Sequence, residues 1–361
     1  MPTAAPFPIL DVTEAPTYGD GPLSRWCRKA LYEARDEVFV RLTIKVIVIM
    51  SIAMSALFYA MHYAPLPPWG RVVAGGLYIA LWAYEVAPVI LMLHCTMHRP
   101  FIRNPKILDR MHPFVMSFYF GIPTGYAEHH LGMHHVEDNM PEDLSSTMRY
   151  RRDSFLNFCV YFGRFFFLIL IELTRYLLSK RRTKMARRAV IGDLSHTALI
   201  IGSLFIDWRW GLVCFAIPYF GVRFLMMVGN WGQHAFVNTA RKNDGLSNSI
   251  TCINSGYNKR AFNDGYHIGH HLKGTRHWTE LPVELRENHE MYAREGAIVF
   301  EKIDFFLVSI LLWTGQWRVL AKHYVRLDGK PKSDEEVIAL LKSRVHPIPA
   351  GAEFKGQPAT T

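Results

Sequence analysis

Seventeen of the 361 residues are histidine, and most of them fall into short clusters. His94 and His98, four apart in His94-Cys95-Thr96-Met97-His98, share one face if that stretch is helical. Two denser groups follow in Glu128-His129-His130-Leu131-Gly132-Met133-His134-His135 and in Gly265-Tyr266-His267-Ile268-Gly269-His270-His271, and His234 stands four residues after Asn230. At this composition an HxxxH pair is expected about once by chance, whereas a given three-histidine pattern is expected only about 0.04 times. Two such patterns occur, and metal ligation is the chemistry they suit. Neutral imidazole binds iron, zinc and copper, so ligand type leaves the metal open. Number says more: one zinc takes about four ligands, and the eight candidates His94, His98, His130, His134, His135, His267, His270 and His271 imply two ions. His129 reads as support or surface, and His289, His323 and His346 as ordinary polar side chains.

Other metal classes fail on the residues themselves. His289-Glu290 is followed by Met291-Tyr292-Ala293, so no HExxH zinc-protease motif exists, and no Glu-x-x-His occurs to build a carboxylate-bridged di-iron bundle. The five cysteines are scattered without a CxxC pair, which excludes a disulfide framework and an iron–sulfur or zinc cluster built on cysteine.

The elements that must position these histidines are apolar. Half of the residues are hydrophobic, 13% aromatic and 20% charged, which excludes a disordered chain and is high for a water-soluble globule. The net charge of +10 is local, since Lys180, Arg181, Arg182, Lys184, Arg187 and Arg188 put six positive charges into nine residues. Beside apolar stretches such a run reads as a membrane flank, and no motif accompanies it that would make nucleic acid a partner. Residues 1–23 lack the basic start and apolar run of a signal peptide, so insertion is expected to rely on internal spans. Two hairpins are predicted: Val46–Ala64 with Val72–Leu93 across Pro65–Gly70, and Ala189–Ile206 with Gly211–Gly229 across Asp207–Trp210.

Charge asymmetry places the basic flanks, both termini and every histidine cluster in the cytoplasm. Pro113–Ala127 is too short to span, and a crossing by Phe155–Leu178 would send the Lys180–Arg188 run outside, so both are expected to lie along the membrane face. Ile298–Leu320, interrupted by Glu301, Lys302 and Asp304, is given the same reading. The expected fold class is an all-α integral membrane protein: four transmembrane helices in two hairpins, interfacial helices and a cytoplasmic histidine-rich cap. Residues 1–45 form a cytoplasmic segment with a basic amphipathic helix, 46–327 the membrane domain, and 328–361, rich in Lys, Asp, Glu, Pro and Gly, a solvated tail.

With His94-x3-His98, His130-x3-His134-His135 and His267-x2-His270-His271 in this order, the sequence resembles the integral-membrane fatty acid desaturase and hydroxylase superfamily over roughly residues 45 to 290. Asn230-x3-His234 is similar to an extra ligand segment of its acyl-CoA desaturase branch. The resemblance implies a four-span architecture with a cytoplasmic cap, two non-haem irons, O₂ as oxidant and a fatty acyl substrate. Desaturation is the expected reaction, with hydroxylation or olefin-forming decarboxylation as alternatives within the superfamily. It also implies His234 as a further ligand and a weaker, water-mediated contact from Asn230. One departure is visible: many members carry Glu before the last two histidines, where this chain has Gly269, and Asp264 is a candidate substitute.

The residues fit that chemistry. Cleaving an unactivated methylene C–H exceeds what acid–base side chains do, so a metal must activate O₂. No HPGG stretch, cysteine cluster or GxGxxG fingerprint accompanies the histidines, so electrons are expected from a separate ferredoxin or cytochrome b5-type partner docking on the basic face. The setting is a multi-pass protein of the endoplasmic reticulum or a bacterial inner membrane. A different class, a membrane metal transporter or sensor, would place ligands inside the spans, whereas these lie at span ends. Glu85, Asp193, His196 and Arg223 fall inside the predicted spans, where hydrogen-bonded helix pairs are their plain reading. Trp208, Trp210 and Trp231 read as interfacial anchors, and His277 and Trp278 as neighbours of the third cluster.

Overall fold

A computed structural model describes residues 5–354. Among the described residues the chain is mostly helical, and five helices are long and apolar enough to cross a membrane: Ala34–His62, Pro68–His98, Phe155–Ser179, Thr183–Ile206 and Trp208–Gln233. Four of them coincide with the two predicted hairpins. The fifth, Phe155–Ser179, is the segment expected to lie along the membrane face, and by length and composition it qualifies as a span.

Two compact units are formed. One comprises residues 15–129 and 173–224. Its first hairpin starts earlier than the apolar run suggests, because Arg41 and Lys45 are accommodated on the helix Glu37–His62 by partners: Arg41 pairs with Glu37 (2.8 Å) and Lys45 with Glu85 of the next helix (2.8 Å). Val46, Met50, Met54, Leu57 and Met61 recur every three or four residues and are buried, while Ile44, Val48, Ile52 and Tyr59 are exposed. An apolar buried stripe backed by an apolar exposed face marks a helix immersed in lipid. The helix Pro68–His98 runs on past the predicted span to carry the first histidine pair at its end. The helix Lys106–Phe120 stops at Gly121, whose φ of 71° and contact with the Tyr219 backbone admit no Cβ.

The other unit comprises residues 5–14, 130–172 and 225–354. It holds the one departure from an all-α chain among the described residues, a parallel pair of strands, Ile250–Ile253 and Ile298–Glu301, in register Ile250↔Ile298. Ile250, Cys252, Ile298 and Phe300 face one hydrophobic cluster and Ile253 and Val299 the other, so both sides of the pair are buried. Ile298–Leu320 is therefore not one interfacial helix: after the strand, Asp304 caps the helix Phe305–Trp313 by accepting from the Leu307 amide (2.9 Å), and Trp317–His323 follows.

The segment read as a solvated tail also differs. Ser333 and Glu336 form a reciprocal cap on the helix Asp334–Ser343, whose Val337 and Leu341, with Val345 beyond, are buried against Phe236, Phe300 and Phe305. Their i, i+4, i+8 spacing is a packing stripe that the high charge of the surrounding residues conceals. Phe354 packs with Met148 and Val237; positions 355–361 of that segment lie outside the described residues.

Candidate metal centre

A π-helical turn over His130–His134 shapes the second cluster. Its wider winding brings His135 back to His130, with their Nε2 atoms 3.0 Å apart, and turns His134 to the other side. The short helix His267–Leu272 sorts the third cluster likewise. His267 and His271, one turn apart, have Nε2 atoms at 3.0 Å, while the Nε2 of His270 meets that of His135 at 3.0 Å. Ligand atoms of His134, His234, His267 and His271 all lie within 4.8 Å of one another, and those of His130, His135 and His270 do too. Each three-histidine cluster is thus divided between two sets. His94 and His98 lie in the other compact unit, with ring centres 5.1 Å apart at the end of their helix.

The backs of the rings fix what the fronts offer. Nδ1 of His134 is 2.7 Å from Asp143, Nδ1 of His271 is 2.9 Å from Asp138, and Nδ1 of His234 donates to the Asn248 carbonyl at 2.9 Å. Each of these acceptors assigns the proton to Nδ1 and leaves a lone pair on Nε2. Asp143 is fully buried and is itself oriented by the amide and hydroxyl of Ser145 (2.8 and 2.7 Å). Asp138 and Asn139 adopt positive φ of 47° and 62°, a turn held by the Asn248 amide on the Asp138 carbonyl (3.0 Å). Burial alone would raise the Asp138 carboxyl, but the hydrogen bond and charge of His271 outweigh it and hold the group below its usual range. Burial, and then the facing His271 and His134, push the proton affinity of His234 well below the ordinary imidazole value.

The lone pairs of His234 and His271 converge and repel, and a single N–H on His267 Nε2 donates well to only one of them at a time. His267 Nε2 faces both His234 Nε2 (3.2 Å) and His271 Nε2 (3.0 Å). A cation resolves that repulsion, and an all-imidazole donor set suits a borderline transition metal such as iron. The residues present therefore fit the metal.

Asn230 spends its amide nitrogen on the Ser145 carbonyl (2.9 Å) and the Tyr161 hydroxyl (2.8 Å). Asp264 accepts from Tyr257 (2.9 Å) and Gln233 (3.4 Å), whereas the carboxylate standing over Gly269 is that of Glu284. A Cβ at Gly269 would meet Glu284 Oε2 at 2.8 Å, and Glu284 is anchored by the Tyr292 hydroxyl (2.7 Å). Trp231, read as a membrane anchor, is fully buried and donates to the Arg152 carbonyl (2.9 Å). Glu85 and Asp193 follow the pairing reading, with Lys45 and with Arg223 (2.9 Å). Sequence reasoning missed Arg152, also fully buried, which donates to the carbonyls of Ala235, Thr147, Met148, Tyr150, Arg344 and His346. That guanidinium fixes the backbone beside His234.

Helices long and apolar enough to cross a membrane thus occur in one chain with two groups of histidines able to hold metal ions, the combination expected of a membrane metalloprotein of the histidine-cluster class. The chain matches the family model described as fatty acid desaturase over residues 67–302, more than half of its length, and it belongs to that family. A comparison with curated proteins found no match. The resemblance carried by the three histidine clusters is thereby borne out.

Proposed function

We propose that this chain is a non-haem di-iron oxidoreductase that uses O₂ to oxidise an unactivated C–H bond of a fatty acyl chain, with desaturation as the reaction. The observation that carries the reading is the pair of convergent imidazole sets inside a fatty acid desaturase family match. His134, His234, His267 and His271 hold one iron. His130, His135 and His270 hold the other, completed by His94 and His98, whose neighbouring rings leave the helix end on one face. Asn230 adds a water-mediated contact through Oδ1, its amide nitrogen being engaged elsewhere.

Iron bound there supplies the O₂ chemistry needed to break a methylene C–H bond. The chain's own part is placement: Asp143, Asp138 and the Asn248 carbonyl hold three rings in the tautomer that presents Nε2. Forming one double bond while reducing O₂ to two waters takes two further electrons and two protons. A separate ferredoxin or cytochrome b5-type protein delivers the electrons at the basic face. In the proposed topology Phe155–Ser179 lies in the cytoplasmic interface. Its internal Arg164–Glu172 ion pair (2.8 Å) and the retention of the Lys180–Arg188 run on the cytoplasmic side support this.

The test is expression in a host of known lipid content, with metal analysis of the purified protein and mass spectrometry of fatty acids, hydroxy acids and alkenes, with and without O₂. Two irons per chain and O₂-dependent double bonds are expected. Hydroxy acids or terminal alkenes would move the reaction to hydroxylation or decarboxylation, and metal flux without any oxidised lipid would replace the enzyme with a transporter.

A further inference from the structure

We infer that Asp11 is a positioning residue for the metal centre: the segment 6–12 straps the turn that enters the helix His267–Leu272, and the Asp11 carboxylate fixes that turn through Tyr266. The inference rests on the metal-centre reading above and adds to it a residue from the far end of the chain.

Burial alternates along the segment. Pro6, Pro8 and Leu10 are exposed, whereas Phe7 and Ile9 pack against the hydrophobic cluster that includes Tyr266 and Ile268, and Asp11 is only 6% exposed. Asn254 clasps the backbone between them, donating to the Pro8 carbonyl (2.9 Å) and accepting from the Leu10 amide (2.7 Å). One carboxylate oxygen of Asp11 then accepts from the Tyr266 hydroxyl (2.8 Å), the Asn258 side-chain amide (3.0 Å) and the Asn254 backbone amide (2.6 Å). Bonds to a carboxylate are about twice as strong as neutral ones, and three of them on one buried oxygen leave the group little freedom.

What they hold is the approach to the ligands. Phe262 and Asn263 have positive φ of 49° and 55°, a conformation that is costly without glycine and persists only where the surroundings enforce it. The Asn263 side-chain amide donates to the Val12 carbonyl (2.7 Å) and to the Trp278 carbonyl (3.0 Å). Asn258 accepts from the Gly265 amide (3.0 Å), at a position where a Cβ would collide with its side chain. Tyr266 comes next, and its carbonyl accepts the His270 amide (3.1 Å), the first bond of the ligand helix.

A helix of six residues has too few internal bonds to hold its own direction. Yet it sends His267 and His271 to one ligand set and His270 to the other, so a shift or rotation would disturb both. A metal site needs its ligands held to within about 0.5 Å by the residues around them. Asp11 and the segment that carries it supply part of that support.

The test is made on the purified, iron-loaded full chain in nanodiscs, by amide hydrogen exchange of residues 265–272 and by the rate at which iron passes to a chelator. D11A should speed exchange there about tenfold, the worth of one bond to a charged acceptor, and iron transfer by the same factor. D11N and Y266F are milder changes that should act in the same direction, and they carry the test if D11A fails to fold. The double variant D11A/Y266F should be no worse than D11A, because the bond between the two residues is already gone. L341A loosens the core elsewhere and separates positioning from plain stability: it should lower the thermal transition and leave both local readouts at the parent rates. Exchange unmoved by D11A, D11N and Y266F would overturn the inference. Faster exchange with iron transfer unmoved, or L341A reproducing both effects, would make Asp11 a fold contact and overturn its positioning role. A parent that takes up no iron but shows the exchange difference sinks only the metal-centre reading, and one that holds iron without that difference sinks only the role of Asp11.

Discussion

At the scale of single residues, the set of His134, His234, His267 and His271 is governed from behind. Replacing Asp143 with Asn leaves the ring of His134 in place but weakens its hold on Nδ1. Loss of such a supporting carboxylate lowers metal affinity about 10- to 100-fold, which chelator competition measures; unchanged retention would show that Asp143 serves only its loop. His234→Ala should remove activity and lower bound iron, whereas Asn230→Ala should reduce activity with less metal loss. A His234→Ala protein keeping two irons and normal turnover would return His234 to a structural role. The ligand candidates were legible because imidazoles at fixed spacings stand out against composition. Asp138 and Asp143 were not, since they sit in a non-periodic loop and gain meaning only from the rings they face. Glu284 was hidden for a similar reason: it reaches Gly269 from a helix beginning twelve residues later, and Asp264, nearer in sequence, bonds to Tyr257 instead.

At the scale of elements, apolar runs located the two hairpins, while charges with partners blurred their edges. Composition misled most in the C-terminal helix Asp334–Ser343, where three acidic residues in the first turn outweigh by eye the stripe of Val337, Leu341 and Val345. Leu341→Ala should destabilise the fold by about 2–5 kcal/mol, seen as an earlier thermal transition of the purified protein; no shift would mean that the helix contributes nothing to the core. Arg152 ties three separate segments through six carbonyl groups, a role with no sequence signature. Arg152→Met should cost about 3 kcal/mol or more, because several buried carbonyls lose their donor together. A variant as stable as the parent would show that water replaces the guanidinium freely.

At the scale of the whole molecule, the length and apolarity of Phe155–Ser179 leave span number to charge. The proposed four-span arrangement keeps Lys180–Arg188 in the cytoplasm, so a cysteine placed in that run should react only after the membrane is opened; labelling from outside would demand a fifth crossing. The proposed function puts the docking of a separate reductase system on that same face, and repeated turnover by the purified chain with NAD(P)H alone would contradict that dependence. The central claim is that the two imidazole sets hold iron and use it on an acyl chain. Its most direct measurement is single turnover: protein of known iron content is chemically reduced without air, mixed with an acyl substrate and O₂, and its products identified by mass spectrometry. The account predicts about two irons per chain and O₂-dependent product in proportion to iron pairs. Fully iron-loaded, reduced protein that consumes no O₂ and leaves every acyl chain tested unoxidised would contradict it.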